Sequence, residues 1–381
     1  TGTRPISRSG RVGLPRRGGG AGGRRMLRRR CTGEESSAGE SSDGGAAGEV
    51  EGDDGAGLLQ GASLMGINLD EAFLLAVQRR RGLDLFQQEL ALEDDSPDGG
   101  VDLLRASLAV ATHAYPELDI DEQVGRVEAL AASLLESMPA EEERYPLRVL
   151  KALSQHFGEL GFEGAQGEQY STVDSMCVNR VLDNRRGIPI TLSLLWMAVA
   201  KRAGLRLVPV YLPAHLMVRP DCEGMEVLVD PYGGGEVMFV EDAEERLAGF
   251  FNASGVKIDR LFLEDATVKP RTFLTRLLTN LKQVYYNKGE YDNALLMAEF
   301  QAMCAPSNQI ALLNSRDQGI CYYLLGRYAE AVEQLEGYLG GHEEGSPAQD
   351  ESQVRTIIAR ARAGQGPPGR PGDGGAPLSG L

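Results

Sequence analysis

The chain has 381 residues, of which 42% are apolar and 25% charged, an ordinary balance for globular domains. Its formal net charge is −16, but residues 1–30 hold ten Arg and no acidic residue, so the remainder carries −26 (−16 minus 10). A body this acidic repels phosphate backbones, which argues against nucleic acid as a partner. The five Cys show no CxxC spacing, which argues against a disulfide framework or a zinc site. No apolar run approaches the roughly 20 residues that span a bilayer.

The two ends of the chain have the composition of disordered segments. Residues 1–30 are Arg-rich and free of acids, which is typical of a chloroplast or mitochondrial transit peptide. The alternative is a plain basic tail on a soluble cytoplasmic protein. Residues 31–57 hold eight acids and no bases among many Gly and Ser, so residues 1–57 are predicted to be disordered. The Gly/Pro-rich residues 364–381 receive the same prediction.

The region 58–144 is predicted to be an N-terminal helical region. Apolar residues recur three and four positions apart, which indicates amphipathic helices. These helices are predicted at 72–78, 101–113, 124–138 and 147–157. The fourth lies at the start of the next region. Asp119 or Asp121 is expected to cap the third, and Pro146 suits the start of the fourth.

The region 145–265 mixes helix and strand patterns. A helix predicted at 173–182 ends in a polar turn, and a second one at 190–203 is apolar nearly all round, which places it in the core. Strand patterns follow at 206–212, 214–219, 226–230 and 236–240. A four-residue hairpin loop at 221–224 would place His215 directly opposite Asp230.

The region 266–363 is helical and repetitive. Gly289-Glu290-Tyr291 recurs as Gly326-Arg327-Tyr328, 37 residues later. Each Gly is expected to end the first helix of a hairpin, and each Tyr to begin the second. This pattern predicts tetratricopeptide-like repeats, with a capping helix over 353–363.

Three segments in order resemble the signature of the SirB-type transglutaminase-like family. They are Gly187-Ile188-Pro189-Ile190, Pro213-Ala214-His215 and Asp230-Pro231-Tyr232-Gly233. Asp174-Ser175 stands where the family has Asn-Ser, and the resemblance covers roughly 145–339. It implies an α+β fold, with a papain/transglutaminase-like core between N-terminal helices and a C-terminal all-α tetratricopeptide region.

A His beside an Asp, behind a buried helix, makes two-thirds of a thiol-transferase triad. The nucleophilic Cys belongs at the start of that helix, where the chain has Ile188-Pro189-Ile190 instead. Cys177 is the remaining candidate nucleophile, with a buried structural Cys as the favoured alternative, and the catalytic candidates are therefore Cys177, His215 and Asp230. The alternatives are discounted because Cys222 lies in the hairpin loop, Cys304 and Cys321 lie in the repeat helices, and Thr191 and Ser193 show no dedicated base.

Arg185, Arg186 and Tyr232 are the candidate binding residues, with a solvated turn as the alternative for the two Arg. His113, His156 and His342 have no companions at metal-ligand spacing, so neither a metal nor a cofactor is predicted. We expect a non-catalytic protein-interaction module that binds a protein or peptide through its core pocket and its repeats. The alternatives are a cysteine transamidase or protease that uses Cys177, His215 and Asp230, and a structural assembly factor with a vestigial pocket. A His215–Asp230 pair that serves only to satisfy buried polar groups is compatible with the interaction module and with the assembly factor.

Overall fold

The computed structural model describes residues 69–91, 100–212, 215–222, 224–251, 257–258, 269–305, 307–342 and 348–367. The predictions for residues 1–57 and for 368–381 lie outside these ranges.

Four helices form the N-terminal part of the described chain, as the apolar periodicity predicts. Asp119 caps the third, because its Oδ1 accepts hydrogen bonds from the amides of Asp121 and Glu122. Pro146 occupies the first turn of the fourth. The helices are α1 (Leu69–Ala91), α2 (Leu103–Ala111), α3 (Ile120–Ser137) and α4 (Pro146–Glu159).

The central part combines three helices with two small sheets. A two-stranded parallel sheet precedes a four-stranded antiparallel sheet whose strands pair in chain order. In chain order the elements are β1 (Glu163–Gly164), α5 (Val178–Asn184), β2 (Arg186–Gly187), α6 (Pro189–Arg202), β3 (Leu207–Leu212), β4 (His215–Pro220), β5 (Val227–Asp230), β6 (Glu236–Phe239) and α7 (Val240–Phe251).

The four-stranded sheet is covered on both faces. Val218 and Val229 share a hydrophobic cluster with α6, whose Trp196 is fully buried. Met217 and Leu228 belong to a separate cluster with Ala243 and Leu247 of α7. Because side chains alternate along a strand, α6 and α7 lie on opposite faces of the sheet.

The predicted hairpin register is wrong by two residues. Val218 pairs with Val229, whereas a loop at 221–224 would have paired it with Val227. The amide of Asp221 donates to the carbonyl of Arg206 at 2.9 Å, so the chain continues alongside β3 before it turns. A shift of two residues keeps every side chain on the same face, so His215 becomes a diagonal neighbour of Asp230.

Two further predictions for this region are corrected by the structure. The helix predicted at 173–182 begins later, at Val178, and Cys177 is its N-cap residue with no side-chain hydrogen bond. Helix α7 was not predicted. Its residues Val240, Ala243 and Leu247 follow helical spacing, but the strand pattern predicted at 236–240 hid its start.

Five helices form the C-terminal part and pack in sequential pairs. Gly289 and Gly326 have φ values of 75° and 81°, and each ends a helix as predicted. Tyr291 and Tyr328 then begin the partner helices, again as predicted. These helices are α8 (Pro270–Lys288), α9 (Tyr291–Cys304), α10 (Asn308–Leu324), α11 (Tyr328–Gly340) and α12 (Glu351–Arg362).

The fold is α+β, as predicted. One hydrophobic cluster extends from Phe86 of α1 through α6 to Phe300 of α9, so helices from both ends of the described chain pack on the central part. The rings of Phe86 and Phe300 meet edge to face at 5.1 Å. In the described part of the chain, no helix is long and apolar enough to cross a membrane.

Candidate functional site

His215 and Asp230 are in contact at one end of the four-stranded sheet. Nε2 of His215 lies 3.0 Å from Oδ2 of Asp230, and the two side chains are 22% and 5% exposed. Nε2 of His215 lies close to the carboxylate but does not have the geometry of a well-formed hydrogen bond to it. Both side chains lie on the sheet face that α7 covers, the face of Met217 and Leu228.

The Asp230 carboxylate also binds partners other than His215. Its Oδ1 accepts hydrogen bonds from the amides of Tyr232 and Gly233, and its Oδ2 lies 3.2 Å from Arg246 of α7. Burial alone would raise the pKa of Asp230. Contact with His215, the Gly233 amide and the charge of Arg246 outweigh burial and hold the pKa below its ordinary value.

Tyr232 lies between His215 and the end of β1. Its ring meets the His215 ring edge to face at 6.3 Å, and its hydroxyl donates to the carbonyl of Ala165 at 2.7 Å. A Cβ on Gly164 would lie 2.6 Å from the Tyr232 ring, so the ring packs flat against that backbone. The space on this side of the imidazole is therefore occupied by an aromatic side chain.

The start of α6, where a nucleophile is expected, is covered by the loop before α5. The carbonyl of Ser175 accepts hydrogen bonds from the amide of Ile188 at 3.2 Å and from the hydroxyl of Thr191 at 2.8 Å. Thr191 is fully buried, and its hydroxyl proton is thereby committed to backbone carbonyls. Ser193 is also fully buried and makes no hydrogen bond. Among the residues that the structure describes, no side-chain base forms a hydrogen bond with either hydroxyl.

Cys177 lies in a buried, acidic environment. Its side chain is 2% exposed, and burial together with the charge of Asp174 raises its pKa well above the ordinary thiol value, while Arg180 opposes the shift. Its electrostatic neighbours in the described chain include Tyr115 and Tyr285, not His215. An activated nucleophile needs the opposite environment, an exposed thiol beside positive charge.

The other described cysteines do not join the His215 site either. Cys304 and Cys321 are buried in the C-terminal helices, and burial raises the pKa of Cys321 to about 12. Cys222 is half-buried in the loop between β4 and β5, at the opposite end of β4 from His215. These placements agree with the positions expected from the sequence.

Of the predicted binding residues, Arg185 and Arg186 make local contacts. The Arg185 guanidinium lies 4.6 Å from the centre of the Phe162 ring, and Arg185 adopts a left-handed conformation that ends α5. Arg186 donates to the carbonyl of Gly161 at 2.9 Å and forms an ion pair with Glu163 at 3.2 Å. Tyr232, the third, is the ring beside His215.

Known proteins match most of the chain. A family model described as the transglutaminase-like superfamily matches residues 121–279, from α3 into α8. A UPF0162 protein of Xylella fastidiosa is 31% identical over 254 residues, which cover 66% of this chain and 86% of that protein. The chain belongs to the SirB-type transglutaminase-like family. The protein SirB1 of Salmonella typhimurium is 28% identical over 210 residues, 55% of this chain and 73% of that protein. No solved structure matches the chain significantly.

The SirB-type core also resembles part of a longer protein. F-box only protein 21 of Pongo abelii is 26% identical over 189 residues, which cover 46% of this chain and 28% of that protein. The roles of Ile188, His215 and Asp230 in this chain stay predictions.

Sequence reasoning missed two polar residues. Arg246 forms ion pairs with Asp230 and with Glu236 of β6. It could have been identified from the sequence only if helix α7 had been predicted. His113 lies 2.6 Å from the carbonyl of Val110 through Nδ1 and 2.5 Å from the hydroxyl of Tyr285 through Nε2. Since a carbonyl only accepts, Nδ1 carries the proton and Tyr285 donates to Nε2. Over the described residues, no group of three or more His, Cys, Asp and Glu is arranged to hold a metal ion.

Proposed function

We propose that this SirB-type protein is a non-catalytic interaction or regulatory module, a pseudoenzyme that binds a protein or peptide. The observation that carries the proposal is the environment of Cys177, whose thiol is buried and has a pKa raised by burial and by Asp174. The Asp230–Arg246 contact and the Tyr232 ring around His215 support a structural role for the imidazole. The net charge of −16 favours a polypeptide partner over nucleic acid.

The C-terminal hairpins are proposed to be tetratricopeptide-type repeats that present a second binding surface. Two hairpins with left-handed Gly at equivalent positions support this assignment, as does α12, which packs against α11 through Val354 and Ile358. The proposed domains are 58–144, 145–265 and 266–363. The likeness of the core to part of the longer F-box only protein 21 agrees with a module that is combined with other parts.

The rival function is a cysteine transamidase or protease that uses Cys177, His215 and Asp230. The contact between His215 and Asp230 favours it, because it would orient an imidazole base. Purified full-length protein is incubated with a glutamine-containing peptide and a primary amine, and separately with a thioester, and products are followed by mass spectrometry. We expect no turnover above buffer in wild type or in His215→Ala. Turnover that disappears in His215→Ala would establish the enzyme.

Chloroplast or mitochondrial targeting by residues 1–30 is proposed from their Arg-rich, acid-free composition. A fusion of residues 1–57 to a fluorescent protein tests it. Import into either organelle is expected, whereas a diffuse cytoplasmic signal would favour the basic-tail alternative.

A further inference from the structure

A polar pocket lies where the loop before α5, the end of α5 and the end of α8 meet. We call it the junction pocket. Its volume is about 550 Å³, which is in the range of sites for drug-sized ligands. Its polar lining comprises Gln169, Thr172, Asp174, Ser175, Asn184, Arg186 and Lys288.

The one carboxylate in this lining is already bound. Oδ1 of Asp174 accepts the hydroxyl of Tyr115 at 2.5 Å, and its Oδ2 lies 3.3 Å from Arg180 and 3.4 Å from the amide nitrogen of Asn184. Arg180 thereby offsets the negative charge of Asp174. Within the lining of the junction pocket, the carboxylate of Asp174 is therefore ion-paired and hydrogen-bonded.

The two cations of the junction pocket are open to a ligand. Arg186 is anchored by the carbonyl of Gly161, and its ion pair with Glu163 is solvent-exposed, with Glu163 64% exposed. Exposed ion pairs of this kind contribute little, so an incoming anion competes with Glu163 easily. Lys288 is exposed in the last turn of α8, and no carboxylate of the described chain lies within ion-pair distance of it.

We propose that the junction pocket binds a carboxylate of a peptide through Lys288 and Arg186, with the side-chain amide of Gln169 binding the adjacent peptide groups. The proposal rests on the proposed peptide-binding function and names its site and ligand chemistry. Arg provides a planar fork for a carboxylate, and Lys adds a mobile point charge. A single carboxylate is favoured over a polyanion, because the chain as a whole carries −16.

Three synthetic pentapeptides of otherwise identical, acid-free sequence test the proposal. The first has a free C-terminal carboxylate, the second is amidated with one central Glu, and the third is amidated with Gln in place of Glu. Affinities for the full-length protein are measured by titration calorimetry at low salt. At least one carboxylate peptide should bind about tenfold more tightly than the Gln peptide. Whichever of the first two peptides binds more tightly shows whether the carboxylate comes from a chain terminus or from a side chain.

Lys288→Gln is the decisive variant, and Lys201→Gln is its matched control, since Lys201 is exposed on α6 away from the pocket. Lys288→Gln should lower the affinity for the carboxylate peptide about tenfold, and Lys201→Gln should leave that affinity unchanged. Equal affinity for all three peptides, no binding at millimolar concentration, or equal effects of the two variants would overturn the proposal. Peptide turnover that depends on His215, followed in the same samples, would instead overturn the non-catalytic function and leave the binding result standing.

Discussion

Asp230 organises the turn that carries the third family motif. Its Oδ1 accepts two successive backbone amides, and its own carbonyl accepts the amide of Gly235 at 2.8 Å. A Cβ on Gly233 would lie 2.7 Å from its Oδ2, so the side chain leaves room only for glycine there. The sequence Asp230-Pro231-Tyr232-Gly233 therefore has a structural explanation that requires no catalysis.

Replacement of Asp230 by Asn should destabilise the protein at pH 7 by about 2–4 kcal/mol, because Arg246 and His215 lose a buried partner charge. The folded-state pKa of Asp230 is lowered, so its contribution is present above the ordinary value near 3.8 and is lost as pH falls through the lowered value. The difference between wild type and Asp230→Asn should therefore narrow below about pH 4. Urea unfolding at several pH values measures both effects.

Asp292→Asn is the control for this change, since Asp292 is exposed on α9. It should change the free energy of unfolding by less than about 1 kcal/mol. An Asp230→Asn protein as stable as the control, or a difference that is the same at pH 3 and pH 7, would contradict the structural role.

At the scale of elements, His113 links α2 to α8. Its ring lies edge to face with Tyr285 at 5.4 Å and accepts the Tyr285 hydroxyl hydrogen bond. The pKa of His113 is lowered from 6.5 to about 4, because burial, the largest cause, and the charge of Arg79 together outweigh the opposing effect of the Val110 carbonyl. The neutral ring is thus part of the interface between the N-terminal and C-terminal helices.

This link predicts a pH dependence of stability. Between pH 6.5 and about 4 the unfolded chain binds a proton at position 113 that the folded chain does not, so stability falls as pH falls through this window. His113→Gln should remove much of that slope in urea unfolding from pH 7 to 4.5. Lys151→Gln, at an exposed position on α4, is the control and should keep the wild-type slope. Equal slopes in all three proteins would contradict the assignment of the window to His113.

At the scale of the whole molecule, local sequence patterns predicted the positions of the helices and strands better than they predicted the contacts between these elements. Helical and strand periodicity located most of the elements from α2 to α11, and Gly289 and Gly326 marked two helix ends correctly. The hairpin register failed because the Asp221 amide pairs with Arg206, a choice that the loop residues do not reveal.

The candidate site was predictable only in part. Because side chains alternate along a strand, the predicted pairing placed His215 and Asp230 on one face of the sheet, and a register shift of two residues keeps them on that face. The neighbours that help to bury Cys177 include Tyr115, which follows α2, and Tyr285 of α8, and both are distant from it in sequence. No local pattern encodes such contacts.

The rate of alkylation of Cys177 as a function of pH, in wild type and in His215→Ala, tests the central claim most directly. Peptide mapping by mass spectrometry follows each cysteine, with half-buried Cys222 as the internal reference. Because burial raises the Cys177 pKa, we predict alkylation between pH 7 and 9 at least about tenfold slower than at Cys222, and unchanged by His215→Ala. Fast alkylation of Cys177 at neutral pH that collapses in His215→Ala would reveal a thiolate–imidazolium pair and contradict the non-catalytic account.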